Sequence, residues 1–227
     1  MMITLIIAEA SLELVPEEIA WHSAIKKHAK RVGKESKEIL LDRSYHHAAM
    51  LNLKDAYKRG RPDIVHFSLL EATSIPLYYE GMLSVYVHTI ADKVISIGKK
   101  DVRLPKNYNR FVGLMEDLFN KGRIGDGSRD LLKVEDMDFM TLLDRIGPST
   151  VIGLSRLGEM GSAKYVASIV KDIEGACIVI GGFPKGTFST SIRSRFNHTI
   201  AISKYSLEAH IVVARVLYEV EKAQGIC

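Results

Sequence analysis

The stretch CIVIGGFPKGTF, at residues 177–188, decides the fold class of this chain. Its apolar run predicts a strand buried on both faces, and its paired glycines and third glycine predict a tight loop that approaches another group closely. Strands that are apolar throughout are typical of parallel sheets covered by helices. The stretch therefore indicates an α/β protein, and what its loop holds is the question for the whole sequence.

Further apolar segments support this fold class. Strands are predicted at 3–15, 38–43, 63–73, 83–90, 92–98, 149–155 and 198–204. Helices are predicted at 16–33, 45–60, 108–122, 158–175 and 206–225, and a loop followed by a helix is predicted over 126–147. With no linker and no internal repeat, we expect an α/β fold with a mostly parallel sheet flanked by helices, formed by one domain over residues 1–227.

Composition narrows the class of protein. The chain has 227 residues, of which 47% are hydrophobic and 26% charged, so its core needs no disulfide bonds. The cysteines, Cys177 and Cys227, fit a reducing compartment. No stretch reaches the length of a membrane span, and the N-terminus lacks the basic region of a signal peptide. We expect a soluble, cytoplasmic protein that has no membrane partner.

Positive charge is concentrated in two clusters, although the net charge is only +4. The first, over residues 26–37, fits a solvated helix face as well as it fits a binding surface. The second, over residues 99–110, places Arg103, Lys106 and Arg110 near aromatic residues. Basic residues interleaved with aromatic ones favour a nucleic-acid surface.

The glycine loops match neither common nucleotide motif. In GGFPKG, Lys185 precedes the last glycine, unlike the Walker A lysine, and the glycines at 153, 158 and 161 lack dinucleotide spacing. Three predicted strands end near these glycines, and parallel strands present their carboxyl ends at one sheet edge. No carboxylate is apparent in the loops, and no histidine has metal-ligand spacing. The pattern favours a flat cofactor bound by backbone atoms, although three ordinary turns would give the same composition.

Several longer blocks carry a resemblance to a known family. They are RPDIVHFSLL (61–70), GMLSVYVHT (81–89), VRLPKNYNRFVGLM (102–115), LLKV (131–134), IGGFPKG (180–186) and ISKYSLEA (202–209). In this order, from about residue 55 to the end, the blocks resemble the ribosome-biogenesis pseudouridine N1-methyltransferases of the SPOUT class. The short chain looks like an archaeal member.

This resemblance implies a C-terminal trefoil knot over residues 150–227 that binds S-adenosylmethionine, a topology that the strand pattern does not predict. Matching positions imply a cofactor site with Leu154 in a first loop, Gly181 and Gly186 in a second, and Ile202, Ser203, Lys204, Tyr205, Ser206 and Leu207 in a third. No residue is assigned a catalytic role, and no metal is expected.

The resemblance also implies the partners. Arg61 would contact small-subunit rRNA and Asp63 would orient its guanidinium group, while Arg103, Lys106 and Arg110 would hold phosphates. Lys106 stands where arginine is more usual in the family, so it offers a point charge in place of a bidentate contact. A homodimer is implied, and a small-subunit ribosomal protein is a further possible partner.

The expected activity is S-adenosylmethionine-dependent N1-methylation of a pseudouridine in small-subunit rRNA, with a role in biogenesis of that subunit. One alternative is a non-catalytic, rRNA-binding assembly factor in which the knot is only a scaffold. Another is a SPOUT methyltransferase with a different target, such as a tRNA pseudouridine.

Overall fold

The computed structural model describes residues 2–100 and 102–226, and an eight-stranded sheet runs through their centre. The strands are β1 (Ile3–Ala10), β2 (Leu83–Thr89), β3 (Lys93–Ile97), β4 (Arg123–Gly125), β5 (Asp130–Asp136), β6 (Thr150–Met160), β7 (Ala176–Gly181) and β8 (His198–Ala201). Their order across the sheet is β4-β5-β3-β2-β1-β7-β6-β8. Strands β2, β1, β7, β6 and β8 are parallel, whereas β3, β5 and β4 form an antiparallel edge.

Helices cover both faces of the sheet. They are α1 (Ser23–Val32), α2 (Arg43–His46), α3 (Pro62–Thr73), α4 (Pro76–Tyr79), α5 (Tyr108–Lys121), α6 (Phe139–Ile146), α7 (Ala163–Val170), α8 (Thr190–Arg193) and α9 (Ala209–Gln224), with short 3-10 helices at Glu17–Ile19, His47–Met50 and Ala56–Lys58. Buried side chains of α3, α5, α7 and α9 share one core with the sheet. Helices α6 and α8 contribute to a second core. The predicted α/β class with a mostly parallel, helix-covered sheet is confirmed.

The predicted strand over 63–73 is wrong, because this segment forms helix α3. Its apolar residues look like a buried strand because the helix is covered on several sides: Ile64, Val65, Leu69 and Ala72 are all buried. Pro62 at the first helical position fixes the backbone angle that a helix needs there. Periodicity alone does not separate a buried helix from a buried strand of this length.

Other boundaries also differ from the sequence-based prediction. The first strand ends at Ala10, and the residue before it, Glu9, has a positive φ of 48°. The predicted strand at 38–43 makes only an isolated bridge between Leu14 and Leu40, and the predicted helix at 45–60 is broken into short turns. Strands β4 and β5 were not predicted. Within the described residues, no helix combines the length and the apolar character needed to cross a membrane.

Candidate functional site

One cavity of about 440 Å³ lies where the parallel strands β7 and β8 end, and the middle of the neighbouring strand β6 lines it from Leu154 to Leu157. This volume lies in the range of small-molecule sites. Of the nine positions predicted for the cofactor, eight line the cavity: Leu154, Gly181, Gly186, Ile202, Ser203, Tyr205, Ser206 and Leu207. Lys204 is exposed and is not among the lining residues. Separate segments of the last third of the chain therefore meet at a single site.

Two glycines bring the backbone of the second loop close to its surroundings. At Gly181, an added Cβ would lie 2.8 Å from Cε1 of Phe183, which is closer than real side chains approach. Gly186 has a φ of 99°, a conformation that side-chain-bearing residues rarely adopt, and an added Cβ would lie 2.9 Å from Cε2 of Tyr57. Gly186 therefore requires glycine, whereas a side chain at Gly181 would have to displace the Phe183 ring; both residues line the cavity.

The third loop, over residues 202–207, offers free main-chain donors. The amide of Tyr205 donates to Oγ of Ser203 at 3.0 Å. The amides of Lys204, Ser206 and Leu207 find no acceptor among residues 2–100 and 102–226. A backbone donor near the surface binds water or a ligand when the protein supplies no partner. These amides suit a ligand whose polar edge accepts hydrogen bonds from the main chain.

Arg61 and Asp63 form a bidentate ion pair at the start of helix α3. Nε of Arg61 donates to Oδ1 of Asp63 at 2.8 Å, and Nη2 donates to Oδ2 at 2.7 Å. The hydrogen bond to Asp63 is the main reason that the pKa of Arg61 is raised, and Glu208 and Asp42 raise it further. Both side chains stay partly exposed, at 38% and 30%. The guanidinium group is therefore held in one orientation while part of it faces solvent.

The basic segment, which we define as residues 102–110, is anchored beside this ion pair. Val102 and Leu104 are buried, so Arg103 between them is directed to solvent. A ring nitrogen of buried His66 on helix α3 contacts the carbonyl oxygen of Pro105 at 2.7 Å. Since a carbonyl only accepts, this nitrogen, Nε2, is the donor. Helix α3, which Arg61 precedes, thus fixes the segment that carries the other cations.

A second anchor lies at Tyr108, whose hydroxyl donates to Oδ2 of Asp42 at 2.5 Å. Burial is the main reason that the pKa of Tyr108 is raised, and the carboxylates of Asp42 and Asp63 add to the effect. The cations of the basic segment, Arg103, Lys106 and Arg110, are exposed, and none forms an ion pair with another described residue. They are therefore available to an anionic partner.

Comparison with known proteins agrees with this arrangement. The sequence profile described as EMG1/NEP1 methyltransferase matches residues 5–221 of the chain. This chain belongs to the EMG1/NEP1 methyltransferase family. The family predicted from the sequence is confirmed, and so is methyltransferase activity as its class of function.

Members of the EMG1/NEP1 family resemble the chain over its whole length. The ribosomal RNA small subunit methyltransferase Nep1 of Thermococcus kodakarensis is 43% identical, over 99% of this chain and 100% of the relative. Its counterpart in Thermococcus onnurineus is 41% identical, over 97% of this chain and 98% of the relative. The crystal structure of Archaeoglobus fulgidus Nep1 bound to S-adenosylhomocysteine is 36% identical, with a TM-score of 0.88, and the match covers 99% of this chain and 100% of that one.

The sequence analysis missed part of the site of this EMG1/NEP1 family member. The three predicted loops contain no carboxylate, as expected, but Glu208, the residue directly after the third loop, lines the cavity and was not predicted there. Ile64, Phe183 and Val212 also line the cavity. Glu208 follows Leu207 in the sequence and was within reach of motif reasoning, whereas Ile64 comes from a helix far before the first loop in the sequence. Within the described residues, no group of His, Cys, Asp and Glu side chains could hold a metal ion.

Proposed function

We propose that this protein transfers the methyl group of S-adenosylmethionine to N1 of a pseudouridine in small-subunit rRNA and thereby serves biogenesis of that subunit. The observation that carries the proposal is the cavity between strands β6, β7 and β8, whose lining residue Glu208 also interacts electrostatically with the oriented guanidinium of Arg61. The names of the relatives support an rRNA substrate, and the S-adenosylhomocysteine bound to the neighbouring structure supports the cofactor. A cytoplasmic site of action is part of the same proposal.

The cavity fits the cofactor in its chemistry. Gly181 and Gly186 leave room against the second loop, and the free amides of Ser206 and Leu207 offer donors to a heterocycle edge. Leu154 and Ile202 provide apolar surface for a ring. In this proposal Ser203, Lys204 and Tyr205 contribute through main-chain atoms, and the side chains of Lys204 and Tyr205 are exposed. A trefoil knot over residues 150–227 is part of the same proposal.

We assign RNA recognition to the surface beside the cavity. Arg61, oriented by Asp63, contacts the target nucleotide, and the basic segment holds the phosphates next to it. The base must leave its stack to reach the cavity, which an unpaired rRNA loop permits at low cost. Uridine has its N1 bonded to the sugar, so only pseudouridine presents a nitrogen that can accept a methyl group at this position.

S-adenosylmethionine supplies a methyl group that is already activated for attack by a nitrogen. The contribution of the protein is then to bind the two reactants in line, to exclude water and to orient the base. Arg61 and Asp63 orient the base from one side, and the apolar residues Leu154, Ile180 and Val212 exclude water from the other. As the bond between N1 and the methyl carbon forms, the bond from that carbon to the sulfonium sulfur breaks and S-adenosylhomocysteine is the leaving group. The N1 proton passes to solvent, and no covalent bond to the protein is needed.

The test pairs binding with product analysis. Calorimetry with S-adenosylhomocysteine should give one site per chain. An rRNA-derived stem-loop with pseudouridine at one position should gain one methyl group by mass spectrometry, and the same RNA with uridine there should gain none. Methylation of both RNAs, or the absence of cofactor binding to folded protein, would contradict the proposal.

A non-catalytic assembly factor is a second candidate, favoured by the basic segment, which is exposed independently of the cavity. Gly181→Trp separates the two functions, because the new side chain would collide with Phe183 and fill the cavity. We expect this variant to lose cofactor binding and methylation but to keep RNA affinity. Full rescue of subunit assembly by the variant in cells would favour the assembly role.

We also propose that the protein acts as a homodimer, and that a small-subunit ribosomal protein is a further partner. Large apolar side chains are exposed around the cofactor region: Leu157, Met160, Tyr165 and Tyr205. Exposed apolar surface of this kind is typical of an interface. Light scattering should give twice the chain mass, and Met160→Glu should lower that mass to one chain. A monomeric wild-type protein would refute the dimer.

A further inference from the structure

A buried ion pair joins the first strand to the turn that precedes helix α3. Nζ of Lys58 lies 2.7 Å from Oε2 of Glu9, and the side chains are only 9% and 11% exposed. Lys58 closes the 3-10 helix Ala56–Lys58, and Glu9 lies near the end of strand β1. Removing two charged groups from water in this way costs free energy unless both groups are fully hydrogen-bonded.

The remaining hydrogen bonds of this pair go to the loop over residues 183–189, which follows strand β7 and lines the cavity. Nζ of Lys58 donates to the carbonyl oxygen of Thr187 at 2.6 Å, and the amide of Ser189 donates to Oε1 of Glu9 at 3.0 Å. The same ammonium group lies 4.6 Å from the centre of the Phe183 ring. The pair thus holds the loop near both of its ends.

The middle of the loop rests on the same turn. An added Cβ at Gly186 would lie 2.9 Å from the Tyr57 ring and 3.3 Å from Cε of Lys58. Thr187 and Phe188 line the cavity on one side and a neighbouring groove beside Lys58 on the other. The position of the cavity wall therefore depends on the turn that carries Lys58.

Glu9 is held in a conformation that a non-glycine residue seldom adopts, with a φ of 48°. Its amide donates to Nδ1 of His88 at 3.3 Å, and Nε2 of His88 contacts Asp92 at 3.1 Å. Strained backbone persists where the surrounding contacts determine it, and such positions cluster at binding sites. Here the unusual backbone directs the carboxylate to the loop.

We propose that Glu9 and Lys58 are positioning residues that hold the 183–189 loop in the conformation that binds the cofactor. Neither needs to touch the cofactor, because both act through main-chain atoms of Thr187 and Ser189. This inference rests on the proposed function, in which the cavity takes S-adenosylmethionine. It assigns to the N-terminal half of the chain, which also contributes Ile64 to the cavity wall, a further part in a site built mainly by the last third.

The adjacent residue offers a matched control. Arg59 forms an equally buried ion pair with Glu13, with exposures of 14% and 4%, and its Nε lies 2.7 Å from Oε1 of Glu13. Within residues 2–100 and 102–226, the side chains of Arg59 and Glu13 form no hydrogen bond with the 183–189 loop, and neither residue lines the cavity. Lys58→Met and Arg59→Met both break one buried pair in the same turn, but only the first releases the loop.

The measurement is the dissociation constant of S-adenosylhomocysteine by calorimetry, at a temperature where circular dichroism shows each variant folded. We expect Lys58→Met to raise this constant about tenfold or more, Lys58→Arg to restore part of the loss, and Arg59→Met to leave it within about twofold of wild type. The KM for RNA should change in neither variant. An equal effect of Lys58→Met and Arg59→Met, or no effect of Lys58→Met, would overturn the inference.

If Lys58→Met does not fold, Glu9→Gln takes its place, because the amide keeps the size of the side chain and removes only its charge. It should weaken binding severalfold, and unchanged binding would count against the inference. The variant Leu154→Arg, whose side chain blocks the cavity itself, distinguishes failure of the positioning role from failure of the proposed cofactor site. Loss of binding in that variant but not in the Lys58 and Glu9 variants refutes only the positioning role, whereas a wild-type protein that binds no S-adenosylhomocysteine refutes the proposed function.

Discussion

Acidification should weaken the fold through one buried histidine, His46. The amide of Asp42 donates to its Nδ1 at 3.1 Å, so the ring proton resides on Nε2 and is donated to Nδ1 of His28 at 2.9 Å. A second ring proton would sit on Nδ1 and point at the N–H group of Asp42, which is itself a donor. Burial, and then the neighbouring His28, lower the pKa of His46 to about 4, whereas an unperturbed histidine titrates near 6.5.

The sign and size of the effect follow from these two pKa values. Between pH 7 and pH 5 the unfolded chain takes up a proton at this position and the folded chain does not, so the unfolded state is favoured as the pH falls. The linkage relation gives a loss of about 2 kcal/mol in the free energy of unfolding over that interval. The loss continues until the folded protein is protonated near pH 4.

Urea unfolding at pH 7 and pH 5 tests this expectation. His46→Gln should be less stable than wild type at pH 7, since it loses buried hydrogen bonds, but its further loss at pH 5 should be smaller by about 2 kcal/mol. His47→Gln is the control, because the neighbouring His47 is exposed and should keep the wild-type pH dependence. Equal losses in wild type and His46→Gln between the two pH values would refute the reasoning.

Three further results are expected. Asp63→Asn should lower RNA affinity about tenfold in a filter-binding assay while leaving cofactor affinity unchanged, because the amide no longer orients the guanidinium group; unchanged RNA affinity would argue for a merely local ion pair. Replacing the three cations of the basic segment by glutamine should reduce the log–log salt slope of RNA binding by roughly 0.7 for each phosphate that is no longer neutralised, and a slope equal to that of wild type would exclude the segment from the interface. Tyr108→Phe should cost about 1–3 kcal/mol in urea unfolding, because Asp42 loses a buried donor, and a neutral result would show that water replaces the hydroxyl.

The sequence predicted the fold class correctly, and it placed most of the candidate site residues around one cavity, but it missed several of the surrounding helices and strands. The cavity follows from a general property of parallel strands, which present their carboxyl ends at one edge: Leu154 of β6 is aligned with Ile180 near the end of β7 and with Ile200 near the end of β8. The bidentate pair of Arg61 and Asp63 is also local, since its partners are two positions apart along the chain. Such features depend on short-range spacing, which a single sequence contains.

Long-range features were beyond the reach of the same reasoning. The segment of helix α3 was predicted as a strand because it is apolar on several sides, each of which tertiary contacts bury. The contact between Glu9 and Lys58 joins residues that are 49 positions apart. Nothing in the local sequence of either residue indicates the other. The antiparallel edge formed by β4 and β5 was missed because its strands carry charged residues and are largely exposed on one side.

The central place of strand β1 has a consequence for synthesis of the chain. Ile3 is aligned with Leu83 on one side and with Ala176 on the other, so the first strand made is completed by one that emerges about 170 residues later. At bacterial-like translation rates of about 5–20 residues per second, that interval is on the order of ten seconds or more. During this interval one edge of the apolar strand β1 stays unpaired while the chain is on the ribosome. Nascent chains arrested before residue 176 should therefore be the most prone to aggregate. Release of the complete chain should allow β7 to cover that edge.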